Sequence, residues 1–108
     1  MAWFMVQVAY TPEAWAAQIK NPQDRIEQLR KMMAPAGITI DHAWYSFGDY
    51  DLVLIGQAEK NADMAGAVLA AAAGGALKAN KTTPLLTVNE AREAMNTAGK
   101  IAYSKPGE

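Results

Sequence analysis

Aromatic and β-branched residues crowd positions 3 to 10, and the run ends at Tyr10-Thr11-Pro12. A short apolar run stopped by proline reads as a strand. Thr11 is then a helix N-cap, with Pro12 at the first helical position and Glu13 in the first turn. Trp15 and Ile19 fall four apart on one face. Asn21-Pro22 interrupts the pattern, because proline removes a backbone donor and moves its predecessor out of the helical region. Asn21 is a candidate cap for a second segment, in which Ile26, Leu29 and Met33 repeat at helical spacing until Ala34-Pro-Ala-Gly37 stops it. Residues 38–47 predict a second strand and 51–57 a third, joined as a hairpin through Gly48-Asp49-Tyr50. A further helix follows Glu59-Lys60-Asn61, with Asn61 or Asp63 near its start and Gly74-Gly75 at its end. Residues 77–88 predict the last strand, and Pro84 inside it argues for an edge position. Residues 89–95 read as a short closing helix before a polar tail.

The order is β-α-β-β-α-β. Two interleaved right-handed crossovers of this kind give an α+β, ferredoxin-like sandwich, a four-stranded antiparallel sheet with both helices on one face. The other face has no cover within one chain. Trp3, Met5 and the Ile38, Ile40 or Trp44 positions nevertheless leave apolar residues on both faces of several strands. A sheet apolar on both sides must be buried on both, so self-association as a twofold homodimer, or a higher homo-oligomer, is expected.

The 108 residues form a single domain, with a tail from about residue 97. An apolar fraction of 51% and 19% charged residues place the chain among ordinary soluble globular proteins. Ten basic residues against eleven acidic ones leave no basic footprint for phosphate backbones, which disfavours nucleic acid as a partner. Without cysteine there are no disulfides, thiolate nucleophiles or finger-type zinc sites. Residues 1–10 lack a basic leader, and the Ala/Gly-rich stretch 64–77 is shorter than the roughly 20 residues of a membrane span. A cytoplasmic protein without a membrane partner is the expectation.

Gly48-Asp49-Tyr50-Asp51 followed by Leu-Val-Leu-Ile resembles the Gly-x-Tyr-Asp motif of the GYD-domain family, within the dimeric α+β-barrel superfamily. The likeness extends to Thr11-Pro-Glu, Pro22-x-x-Arg25, Ala73-Gly-Gly75 and the tail Ala98-Gly-Lys-Ile-Ala-Tyr103. It implies two sheets packed face to face across a dimer axis into a closed barrel. The superfamily spans cofactor-independent monooxygenases, cyclases, isomerases and haem proteins. One histidine and no cysteine leave few axial ligands, so haem fits poorly and no cofactor is expected.

The segment from His42 to Asp51 concentrates the chemistry. Gly48 and Asp49 are best read as turn geometry, glycine permitting a positive φ and aspartate bonding its own backbone. Tyr50 either staples the barrel edge or donates a hydrogen bond to a ligand. Asp51 heads the row Val53, Ile55, at an open edge or paired inside. Arg25 is its candidate partner by resemblance, and a structural tie is the favoured reading of such a pair. By strand alternation His42 is in phase with Ile38, Ile40 and Trp44, and the plainer reading is a core or interface histidine. The functional one is a general base, with Tyr50 and Asp51, acting on a small aromatic or enolisable compound held by Arg25, Trp15, Trp44 and Tyr45. The alternative is a non-catalytic ligand-binding, stress-response or assembly module. Scattered carboxylates and one histidine do not form a metal-ligand set. The alanine-rich helix either packs close to the sheet or leaves a void beneath it, and close packing is favoured. Lys78 and Lys81 read as edge protection.

Overall fold

The computed structural model describes residues 1–108. Strand β1 (Ala2–Tyr10) leads through Thr11 into helix α1 (Pro12–Lys20). The Thr11 side chain accepts from the Ala14 amide, 3.1 Å away, so the expected cap is formed. The second helix, α2 (Arg25–Met33), is capped by Asp24 and not by Asn21. Asn21 instead ends α1, its amide donating to the Ala17 carbonyl. Gly37, at φ 75°, closes the short turn after α2, where a side chain would be strained.

Strands β2 (Thr39–Tyr45) and β3 (Leu52–Ala58) form the hairpin, both ending within two residues of expectation. Helix α3 (Asn61–Ala73) stops at Gly74, and Gly75 turns the chain at φ 80° into β4 (Leu77–Leu85). Helix α4 (Val88–Ala98) starts one residue earlier than expected, where Thr87 and Glu90 form a reciprocal capping box, and runs three residues further. The sheet order is β2-β3-β1-β4, with every ladder antiparallel. This is the ferredoxin-like arrangement, and Pro84 lies on an edge strand as proline requires.

The core is thin: nine of 108 residues are buried. Phe4, Ile38, Ala58 and Met64 form one cluster, and Val8, Tyr10 and Leu52 another, both on the helix-covered face. Ile19 contributes to neither and is 74% exposed, since α1 turns Trp15 and Gln18 inward instead. The radius of gyration is 17.4 Å, against about 13 Å for a compact chain of this size. Helix α4 accounts for much of the excess: it has no extensive contact with another element, and Val88 and Met95 on its apolar side are exposed.

One irregularity redirects the second strand. Ile40 pairs with Gly56, but His42 pairs with Ile55, so Asp41 is an inserted bulge residue. Unbroken strand alternation places His42 and Trp44 in phase with Ile40. The bulge corrects this and turns both to the uncovered face. It also explains Gly56: a Cβ there would collide with the Thr39 carbonyl oxygen.

Candidate functional site

Beneath α3 the helix face of the sheet is not filled. A hollow of about 420 Å³ lies between β1, β3, α2 and α3, and 17 of its 22 lining residues are apolar. Ala67, Ala70 and Ala71 form its roof. Val6 and Leu54 line it from the sheet below, so beyond the cluster that holds Phe4 and Met64 the expected close packing of α3 gives way to open space. A packed core leaves few spaces larger than one water, and this space falls in the range of about 300–1,000 Å³ typical of ligand pockets.

Few polar groups reach it. Tyr10 and Arg25 stand at one end, where they also line a shallower polar cleft beside Gln18 and Gln28. The pair therefore occupies the wall between an apolar hollow and a wetter entrance. Burial raises the Tyr10 phenol above its ordinary 10.0; the Tyr45 phenol adds to this, the adjacent Arg25 guanidinium opposes it and Asp51 reinforces it. Tyr10 is thus a neutral hydroxyl donor at physiological pH. Arg25 donates to the Gln28 side-chain oxygen at 3.2 Å, and no carboxylate pairs with it, the one ion pair being Arg30 with Glu27.

Asp51 is engaged differently from expectation. Its carboxylate accepts from the Tyr10 amide at 2.9 Å and from the Trp15 indole Nε1 at 3.1 Å. Its own amide donates to the Val8 carbonyl at 2.8 Å. The structural tie favoured for Asp51 is present in form, but Trp15 and the β1 backbone are its partners and Arg25 is not. Trp15 in turn meets the Tyr10 ring edge-on at 5.4 Å and the Tyr45 ring at 6.2 Å. The Tyr45 hydroxyl lies 3.5 Å from the Gln18 side-chain oxygen. This aromatic brace fixes the Tyr10 backbone where β1 leaves the sheet.

The remaining candidates lie elsewhere. His42 and Trp44 stack at 5.7 Å and 16° on the uncovered face, both exposed, with the sheet between them and the hollow. Tyr50 lies in the hairpin loop, where its carbonyl accepts from the Ser46 hydroxyl at 2.7 Å, and it does not line the hollow. Gly48, at φ 155°, has its turn role. No three His, Asp or Glu side chains converge as metal ligands, and no helix is long and apolar enough to cross a membrane. So the structure gathers Arg25, Trp15, Tyr45 and Asp51 around Tyr10, and separates His42, Trp44 and Tyr50 from them. Tyr10 as a polar group is the residue that sequence reasoning missed. Its position at the strand end, just before the Thr11-Pro12 cap, was the available signal.

The sequence matches the family model described as GYD domain over residues 4–95. No curated protein matches significantly. Among solved structures, MtbAldR is similar with a TM-score of 0.60 at 19% identity, over 80% of this chain and 52% of that one. FFRP-DM1 is similar with a TM-score of 0.56 at 15% identity, over 80% of this chain and 100% of that one. The chain thus spans about half the length of the first. At these identities the likeness is one of fold.

Proposed function

The chain belongs to the GYD-domain family, and from that premise we propose that it is a small-molecule-binding domain whose ligand occupies the hollow beneath α3. The observation that carries this reading is an apolar space of about 420 Å³ with a guanidinium and a phenol, Arg25 and Tyr10, at one end. Close-packed interiors do not normally leave a space of this size between helix and sheet. Alanine at three roof positions keeps it open.

Cofactor-free turnover with His42 as base has no support in this geometry, because the imidazole and the hollow lie on opposite faces of the sheet. The proposal is therefore binding, with no reaction assigned. It includes a second copy of the chain on the uncovered face, where Trp3, Met5, Val53, Ile55 and Trp44 leave apolar surface that a homodimer would remove from water.

The methionines report the ligand's position. Met33 and Met64 line the hollow, whereas Met5 lies on the opposite face. In methyl NMR spectra, adding Nile red, an uncharged apolar dye, is expected to shift Met33 and Met64 and leave Met5 in place. Shifts confined to Met5 would refute the assignment.

A further inference from the structure

Resting on that reading, we infer that the ligand is a small aliphatic carboxylate, with its tail in the hollow and its head at Arg25 and Tyr10. Three observations converge on this class.

The first is the unsatisfied charge. Arg25 is half-buried and carries no carboxylate partner; it donates to the neutral Gln28 side chain and stands against the neutral Tyr10 phenol. A guanidinium presents five N–H donors in a planar fork that matches a carboxylate, and these neutral contacts leave its charge unpaired and donors to spare. The Tyr10 hydroxyl beside it adds a neutral donor. Asp51, the carboxylate that acts on Tyr10, is already held by two donors and lies outside the hollow's lining.

The second is position. Tyr10 and Arg25 are shared by the apolar hollow and the polar cleft. An amphiphile bound across this wall keeps its charged end at the donors and its tail out of water. A wholly apolar ligand would leave the guanidinium's charge without a counter-charge, which costs free energy in a half-dry site.

The third is the nature of the walls. Tyr10 is the only aromatic residue lining the hollow; valine, leucine, isoleucine, methionine and alanine make up most of the rest. Trp15 and Tyr45 brace the outside of the entrance and Trp44 lies across the sheet, so a flat ring deep in the hollow would meet aliphatic walls, with Tyr10 alone at one end. Flexible aliphatic walls suit an alkyl or branched chain.

The test compares decanoate with decanol, which share a tail and differ in the head, by calorimetric titration at neutral pH. Wild-type protein is expected to bind decanoate at least about tenfold more tightly, the equivalent of one charge-assisted contact. Arg25→Gln is expected to abolish that preference and Arg25→Lys, which retains the charge, to keep part of it, with thermal unfolding showing that both variants are folded. Equal binding of the two compounds by wild type, or an undiminished preference in Arg25→Gln, would overturn the assignment. Nile red separates the two levels: if wild type takes up the dye in the hollow but does not discriminate the heads, only the carboxylate is refuted. If dye, acid and alcohol all fail to bind, the ligand-binding reading falls with it.

Discussion

The two faces of the sheet use similar side chains to different ends. On the helix face, Phe4, Val8, Leu52 and Met64 are buried, yet the layer above them is deliberately thin at Ala67, Ala70 and Ala71. On the other face, Trp3, Met5, Val53 and Ile55 are only partly covered and Trp44 is 58% exposed. One face encloses space without filling it; the other offers surface without covering it. The difference teaches that apolar content alone does not mark a binding site. What distinguishes the hollow is concavity joined to a few converging donors, while the open face is broad and its polar groups point to solvent.

The sharpest way to break the helix face is at its brace. Asp51→Ala removes the acceptor of two hydrogen bonds, leaving the Tyr10 amide and the Trp15 indole without partners. A loss of about 3 kcal/mol is expected in urea unfolding, since bonds to a charged acceptor contribute about 1.5–3 kcal/mol each. Asp51→Asn should recover part of it. An Asp51→Ala variant as stable as wild type would mean the brace is decorative.

Gly56→Ala attacks the device that separates the faces. Its methyl group meets the Thr39 carbonyl oxygen, a backbone atom that cannot swing aside. The expected cost is about 1–3 kcal/mol, as for other overpacked sites, together with altered amide shifts at Asp41 and His42. Unchanged shifts there would show that the bulge does not depend on this glycine.

Tyr10 sharpens the comparison through pH. Its phenol is raised in the fold, so it remains neutral where the unfolded chain's phenol has begun to ionise. The associated stability is intact below the ordinary value of 10.0 and is lost as the pH rises through the folded value. Stability should therefore decline more steeply above pH 10 in wild type than in Tyr10→Phe, as read from unfolding midpoints. Parallel curves would show that the phenol is not desolvated.

On the open face, effects on the single chain should be slight. Trp44→Glu is expected to change unfolding free energy by less than about 0.5 kcal/mol when the protein is dilute, as exposed substitutions usually do. It should nonetheless weaken self-association in sedimentation velocity. A wild-type protein that remains monomeric at every concentration would remove the second copy from this face.

The sequence made the elements legible because each carries its own local chemistry. Thr11-Pro12 caps α1, Gly74-Gly75 ends α3, and Pro84 confines β4 to an edge, all through backbone constraints that need no tertiary context. The topology followed from their order. Which candidates share a face was less legible, because on β2 that depends on one inserted residue. A period of two carries His42 and Trp44 along with Ile40, and a single bulge reverses the facing of everything beyond it. Gly56, isolated inside an apolar strand, was the sign of close backbone approach. Arg25 and Asp51 both stand near Tyr10 but are not paired, because donors from β1 and α1 take up the carboxylate and leave Arg25 at the wall of the hollow. The hollow is likewise invisible to composition. Alanines permit either contact or space, and helix placement decides between them.

The distinction between the faces is tested most directly by following Nile red fluorescence in wild type, in His42→Ala and in the double variant Ala67→Leu/Ala71→Leu. Leucines at the two roof positions should fill the hollow and weaken dye binding at least about tenfold, with stability kept or raised. His42→Ala, on the opposite face, should bind as wild type does. Binding that survives the filled roof and disappears with His42 would place the site on the open face and contradict the assignment.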